Sequence, residues 1–156
     1  MKLLYEFEVP VRAVAWNLQK RMGRLFLDSA TQQFKSAVRC AAVSARKRGK
    51  TLPLPIEVCL NIDIFLHYSN TLRMQNEAGE WRARVPDLTN IQKAIEDALK
   101  GIVFQDDIQT AAIHMQRWRV GSRKDEKIKV VVYALNGEES NFRTAGEERN
   151  DCGRHT

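Results

Sequence analysis

The chain carries at residues 86–109 the stretch PDLTNIQKAIEDALKGIVFQDDIQ, which decides how its second half folds. Apolar residues recur at helical spacing from Asn90 to Lys100, and Gly101 is a natural C-terminal stop. Thr89 and Gln92 have the spacing of a capping box, in which each side chain satisfies a free backbone N–H of the first turn. The stretch therefore predicts a short helix with acidic residues beyond both of its ends.

Carboxylates and a lysine accompany this helix. Asp87 precedes it, Lys93 lies within it, and Asp106 and Asp107 follow it. Mg²⁺ takes oxygen ligands and usually only one or two carboxylates, keeping water and substrate phosphate in its other positions. A nearby lysine can offset charge that develops on a phosphate under attack. The set predicts a Mg²⁺-dependent phosphodiester-cleaving site, provided that the chain after Gly101 folds back along the helix and brings the acids together.

Around this stretch the pattern predicts four strands and one further helix. The strands are Leu3–Val9, Ile56–His67, Ile108–Val120 and Lys127–Leu135. Asp28 or Ser29 is placed to cap the other helix, which we expect to run to about Arg48. Residues 10–28 and 68–85 show no clear period and are predicted to be loops.

This order predicts an α+β fold: one domain, residues 1–135, with a mixed β-sheet of about four strands packed with two main helices. Residues 136–156 are polar, without hydrophobic period, and are predicted to form a disordered tail.

A formal charge of +6 favours an anionic partner, with nucleic acid as the first candidate. Arg82 and Arg84 lie just before the acidic motif and are predicted to contact phosphates. The basic residues that form a wider candidate DNA track are Lys20, Arg21, Arg24, Arg46, Lys47, Arg48 and Lys50. Trp16, Trp81 and Trp118 are candidates for stacking on unpaired bases, with core packing the more ordinary role for Trp118.

Three well-separated cysteines form no zinc or disulfide pattern, which indicates reduced thiols. The chain has no apolar run of the ~18 residues that a membrane span needs, and acidic residues interrupt its N-terminal segment. We therefore expect a cytoplasmic protein that uses neither a membrane nor an organic cofactor.

The acidic motif resembles a known signature. Residues 86–109 are similar to the motif of RusA-type Holliday-junction resolvases (crossover junction endodeoxyribonucleases), small enzymes that cut four-way DNA junctions. That motif reads roughly P-D-x-D-N-x-x-K, then D-A-L-x-G, then D-D-x-Q. Its three segments match residues 86–93, 97–101 and 106–109 of this chain.

The resemblance implies a homodimer with two Mg²⁺-dependent sites, each nicking one of a symmetric pair of junction strands, with Mn²⁺ as a possible substitute. Asp87 and Asp107 match metal-binding aspartates, and Asp106 is the neighbour of the second. Lys93 matches the catalytic lysine. We therefore expect bacterial or phage origin, branched DNA as substrate, and catalytic roles for Asp87, Lys93 and Asp107.

One position departs from the motif, because Thr89 stands where the family has a second aspartate. Three outcomes stay open. Thr89 serves only as a helix cap and Glu96, two turns along the same face, supplies the lost charge as an additional metal ligand. Alternatively, the site binds one metal through Asp87 and Asp107 alone and still works, or the enzyme is impaired. Thr89 and Glu96 are accordingly further candidate ligands.

Taken singly, each of these features has a structural explanation. Asp87 suits a helix N-terminus, the Asp106–Asp107 pair suits a turn, and Lys93 with Asp97 makes an ordinary i, i+4 pair. Their joint order and spacing favour the nuclease. The first alternative is a catalytically impaired branched-DNA-binding protein. The second, which the sequence favours less, is a nucleic-acid-associated scaffold whose acids are purely structural.

Overall fold

A computed structural model describes residues 1–16, 18–46, 56–67, 73–75, 81–83 and 86–135. The elements in chain order are β1 Lys2–Val9, β2 Leu18–Arg21, β3 Arg24–Leu27, α1 Ser29–Arg46, β4 Val58–Leu66, β5 Arg73–Gln75, β6 Trp81–Ala83, α2 Leu88–Leu99, β7 Thr110–Arg119 and β8 Lys127–Ala134. Short 3-10 turns at Asp107–Gln109 and Arg123–Asp125 precede β7 and β8. The predicted tail, residues 136–156, lies outside the described residues.

The main sheet has the strand order β1-β8-β4-β7. β8 is antiparallel to both of its neighbours, whereas β4 and β7 run parallel. This arrangement confirms the predicted α+β fold: a single domain with a mixed four-stranded sheet and two main helices.

The core lies between the helices and one face of the sheet. Alternate residues of β4 are buried there, and β8 contributes Ile128, Val130 and Val132. The helices add the apolar stripes predicted from their period: Phe34, Val38 and Ala42 from α1, and Ile91, Ala94, Ile95, Ala98 and Leu99 from α2. Each fully buried Leu or Ile side chain contributes roughly 1.5–3 kcal/mol, so this face holds α2 firmly on the sheet.

Two predicted loops contain hairpins. β2 and β3 pair around Met22 and Gly23, both at positive φ (50° and 76°), as a two-residue hairpin turn requires. The prediction of a loop for residues 10–28 was wrong here, because methionine is an unusual residue for that turn and β3 is mostly exposed, without a buried alternation. β5 pairs with β6 inside the second predicted loop.

The start of α2 also differs from its prediction. Asp87 is the N-cap, and its Oδ1 accepts a hydrogen bond of 2.7 Å from the backbone N–H of Thr89. The predicted Thr89–Gln92 capping box is therefore wrong; the Gln92 amide instead donates to Glu96. The end was predicted correctly, since Gly101 follows the helix at φ 78°.

The same kind of cap begins α1, where Asp28 Oδ1 accepts from the backbone N–H of Thr31 at 2.7 Å, as predicted. The described part of α1 ends at Arg46, two residues short of the expected end. No helix in the described portion of the chain is both long and apolar enough to cross a membrane.

Candidate functional site

Four polar side chains line the outer face of α2. Thr89, Lys93, Glu96 and Lys100 follow one another at i, i+4, i+7 and i+11, the spacing of a single helix face. The opposite face carries the buried stripe that packs into the core. The fold therefore presents the central part of the motif outward, on a rigid element.

The N-terminal end of this face holds Asp87, Thr89 and Lys93, all of them exposed. The ammonium of Lys93 lies 3.7 Å from the ring centre of Trp16. The backbone N–H of Trp16 donates to the carbonyl of Asn90 at 3.0 Å, which ties residues 10–16 to the first turn of α2. Trp16 was predicted only as a base-stacking candidate; its contact with the lysine depends on tertiary structure.

The C-terminal end holds an acidic pair bridged by a lysine. Lys100 Nζ lies 3.3 Å from Asp106 Oδ2 and 3.4 Å from Asp107 Oδ1. Hydrogen bonds lower the pKa of Asp106, first one with the adjacent Asp107 carboxyl and then those from the Ile108 N–H and the Lys100 ammonium. Pairing with Asp106 raises the pKa of Lys100. The lysine therefore neutralises part of the negative charge of this pair.

Glu96 lies between the two ends and is partly buried. Burial raises the pKa of its carboxyl, against a hydrogen bond of 3.1 Å from the Gln92 amide, and the charges of Asp107 and Asp97 raise it further. Asp107 is thus close enough for its charge to act on the Glu96 carboxyl. A cation placed beside such a carboxyl would favour its ionised form.

Gln109 supports the acidic pair from behind. Its side chain is buried, and Oε1 accepts from the backbone N–H groups of Gln105 (2.7 Å) and Asp106 (3.2 Å). Its Nε2 donates to the carbonyl of Ile56 at 2.9 Å. The sequence prediction gave Gln109 no role, although its place in the D-D-x-Q segment was a signal that could have found it.

The structure brings the predicted site residues together as two groups. Asp87 caps the start of α2, whereas Asp106 and Asp107 lie beside Lys100, the residue that follows its last turn. Twelve helical residues span ~18 Å. After Gly101 the chain runs back along the helix as β7, and Arg117 of β7 donates to the carbonyl of Pro86 at 3.2 Å. Asp87 and the Asp106–Asp107 pair thus belong to opposite ends of α2.

The carboxylate oxygens of Asp106 and Asp107 suit a hard divalent cation, and Glu96 lies one helical turn before Lys100 on the same face. Within the part of the chain that the structure describes, however, no three Asp, Glu, His or Cys side chains are placed to hold one metal ion. Binding an ion between these carboxylates would require side-chain movement, including displacement of the Lys100 ammonium.

The predicted DNA-contact residues have several different positions. Arg24 is exposed on β3, Lys20 and Arg21 belong to β2, and Arg82 belongs to β6. Arg46 donates to the carbonyl of Ile102 at 3.0 Å, so it also connects the end of α1 to the turn after α2. The remaining four, Arg84, Lys47, Arg48 and Lys50, lie outside the described residues.

Trp118 does not pack in the core. Its side chain is 48 % exposed, its Nε1 donates to Asp63 Oδ1 at 2.9 Å, and its ring stacks on Phe65 across the open face of the sheet. The core role expected for Trp118 is therefore wrong, because its position on β7 faces away from the helices.

These features define a class: a small α+β domain that presents carboxylates and lysines on one exposed helix, as a phosphodiester-cleaving protein would. The family model described as Endodeoxyribonuclease RusA matches residues 9–133. This chain belongs to the RusA endodeoxyribonuclease family, whose members resolve Holliday junctions and generally depend on a divalent metal. No curated protein gives a match to the chain.

Proposed function

We propose that this protein is a Mg²⁺-dependent, structure-selective endodeoxyribonuclease that resolves four-way DNA junctions by paired nicks. The observation that carries the proposal is the family match over residues 9–133, which includes Asp87, Lys93, Asp106 and Asp107 in the order and spacing of the motif. Mn²⁺ is expected to replace Mg²⁺, since both accept carboxylate and water ligands.

The acidic end of the α2 face is the proposed cation-binding part of the site. Asp106 and Asp107 would supply carboxylate oxygens, and Glu96 would add the charge that Thr89 lacks. A bound divalent cation would supply electrostatic stabilisation of the phosphate and a more acidic water. The chain's own contribution is to hold these carboxylates at one end of a rigid helix, with Gln109 fixing the loop that carries two of them.

Lys93 is the proposed phosphate contact. It lies one turn before Glu96 on the same face, and residues three apart on a helix have Cβ atoms about 5–6 Å apart. Its ammonium can therefore approach a phosphate held near Glu96 and offset the charge that develops there. Asp87 is retained as a candidate catalytic residue from its place in the motif; its described contact is the helix cap.

Paired nicking requires two sites, and we propose that a homodimer supplies them. A dimer would space two sites and two basic surfaces across a branched substrate, which accounts for selectivity towards junctions over one duplex. Phosphate contacts from the basic residues would make DNA binding weaken steeply with salt. In a bacterial cell, or in one infected by a phage, the protein would encounter its DNA substrate in the cytoplasm.

The test is incubation of the purified protein with a labelled synthetic four-way junction and a matched linear duplex, in Mg²⁺, in Mn²⁺ and in EDTA. We expect symmetric nicks in the junction alone, with either metal, and none in EDTA. Cleavage of both substrates alike would contradict junction selectivity. Nicking that persists in EDTA would contradict metal dependence.

A second candidate is a catalytically impaired protein that binds branched DNA. The observations that favour it are Thr89 in place of a carboxylate and the positions of Asp87 and Asp107 at opposite ends of α2. It predicts a shifted but uncut junction in both metals. If the missing carboxylate is the cause, Thr89→Asp restores nicking, whereas Ser36→Asp, which adds the same charge at an exposed position of α1, does not.

A further inference from the structure

Trp16 contacts the lysine of the motif directly. The Lys93 ammonium lies 3.7 Å from the centre of the indole ring, well inside the ~6 Å range of a cation–π interaction. In the part of the chain that is described, no carboxylate forms an ion pair with Lys93, although Glu96 and Asp97 follow it closely in α2. Among the described residues, the indole is therefore the partner that this exposed ammonium contacts.

The indole is itself held from several sides. The backbone N–H of Trp16 donates to the carbonyl of Asn90 on α2. The carbonyl of the preceding residue, Ala15, accepts from the buried hydroxyl of Thr31 on α1 at 3.2 Å. Upstream, Arg12 pairs with Glu126 next to β8. Trp16 also packs against the hydrophobic core. The segment before β2 is thus attached to both helices and the sheet, so the backbone that carries the ring is held in place.

A lysine side chain has four rotatable carbon–carbon bonds, and an exposed one samples many rotamers. A ring that attracts the ammonium restricts it to one region without removing its charge, because the ring quadrupole offers no competing anion. A carboxylate partner would instead neutralise the charge and compete with a phosphate. An aromatic partner therefore suits a lysine that must stay available to an incoming phosphate.

We infer that Trp16 is a positioning residue, which holds the Lys93 ammonium at the start of the α2 face, ready to contact the scissile phosphate. The catalytic consequence of this inference rests on the proposed function. The contact between the Trp16 and Lys93 side chains does not depend on that function. It also distinguishes Trp16 from a base-stacking residue, whose main effect would fall on DNA affinity.

The contact is tested by NMR of the Lys93 ε-methylene protons, which a ring 3.7 Å from the ammonium should shift upfield. We expect an upfield shift in the wild-type protein, its retention in Trp16→Phe and its loss in Trp16→Leu. Lys93 ε-methylene protons at ordinary lysine positions in the wild-type protein would overturn the inference, whether or not the protein cuts DNA.

The catalytic consequence is tested by single-turnover cleavage of the four-way junction at saturating protein, together with junction affinity. We expect Trp16→Leu to cut about tenfold more slowly with unchanged affinity, the rate equivalent of a cation–π interaction. Trp16→Phe should cut at close to the wild-type rate. The matched control is Phe65→Leu, which removes a ring that contacts a different lysine, Lys127, at 5.4 Å on the open face of the sheet, and should leave the rate unchanged.

Three results would overturn the positioning role: a wild-type rate in Trp16→Leu, a Trp16→Phe rate as low as that of Trp16→Leu, or a loss of affinity with an unchanged rate at saturation. The last would assign Trp16 to base stacking. Failure of the wild-type protein to cut the junction would instead count against the proposed nuclease, and the NMR result would still decide whether the contact exists.

Discussion

Gln109 and Ile56 join the loop that carries the acidic pair to the chain just before β4. Gln109 Nε2 donates to the carbonyl of Ile56 at 2.9 Å, while its Oε1 accepts two backbone N–H groups of the loop itself. A single buried side chain thus connects Asp106 to the central strand of the sheet. The position of the acidic pair is set by the core, although the pair itself is at the surface.

Replacing Gln109 by leucine should therefore destabilise the whole domain. The change removes the buried side chain that satisfies two backbone N–H groups and one carbonyl, at roughly 1–3 kcal/mol for each group that would be fully desolvated. Allowing for partial exposure to water, we expect a loss of about 2–4 kcal/mol in the free energy of unfolding, measured by urea denaturation. Gln116→Leu, at an exposed position of β7, is the control. Equal stability of the two variants would contradict this role.

Asp107→Asn should separate cleavage from binding. The substitution removes a carboxylate charge and keeps the shape of the side chain, so junction affinity should persist. The nicking rate should fall by at least about a hundredfold, the effect of losing one group that stabilises a transition state. Asp125→Asn, on the exposed turn before β8, removes the same charge away from α2 and should cut normally. Continued cleavage by Asp107→Asn with unaltered binding would show that this acid is not part of the catalytic site.

Lys100→Met should make the protein respond more strongly to Mg²⁺. The ammonium now bridges Asp106 and Asp107, so it competes with a cation for the same oxygens. Without it, the acids repel each other and a cation gains a better site, which stabilises the folded state by mass action. Thermal unfolding with increasing Mg²⁺ should show a larger rise in Tm for Lys100→Met than for the wild type.

Lys124→Met, which removes an exposed lysine of the turn before β8, should match the wild type in this Mg²⁺ titration. If the Tm of Lys100→Met does not change with Mg²⁺ concentration, no cation binds at the acidic end of α2.

Glu6→Gln should lower stability at neutral pH and lose its effect in strong alkali. Lys129 Nζ lies 2.6 Å from Glu6 Oε1, and this partner raises the pKa of Lys129 above its ordinary value of 10.5. A raised lysine pKa means that the folded state favours the charged form. The stabilisation is therefore complete below pH 10.5 and is lost as the pH rises through the raised pKa.

The Tm difference between wild type and Glu6→Gln, followed from pH 8 to about 12, checks this sign. Glu57→Gln, at an exposed position before β4, provides the comparison for loss of a surface charge. A difference that grew with pH would contradict the assignment.

The parts of the fold that depend on local periodicity were predictable. Alternation along β4 and the apolar stripe of α2 identify their buried faces, because burial repeats every two residues in a strand and every 3.6 in a helix. The β2–β3 hairpin was missed, since its turn places Met22 at positive φ, where glycine or asparagine is the usual signal. The cap was misplaced by two residues because Asp87 and Thr89 are both good N-cap residues.

The candidate site was predictable in its residue types and not in its arrangement. Whether Asp107 lies near Asp87 depends on where β7 pairs, and its parallel partner β4 lies some fifty residues away in sequence, as in the pairing of Asn61 with His114. The contacts of Trp16 and Gln109 have the same long-range origin. Local sequence patterns carry no information on such pairings.

The rigidity of α2 limits how the motif can vary in length. Each added residue would turn the rest of the helix by about 100°, so a single insertion between Lys93 and Lys100 would move one lysine off the face that they share. An insertion in the exposed turn at Gly101 would turn neither lysine, because it follows both of them in the chain. Evolutionary gains and losses of residues in this motif should accordingly accumulate in the turn, and leave the helix at constant length.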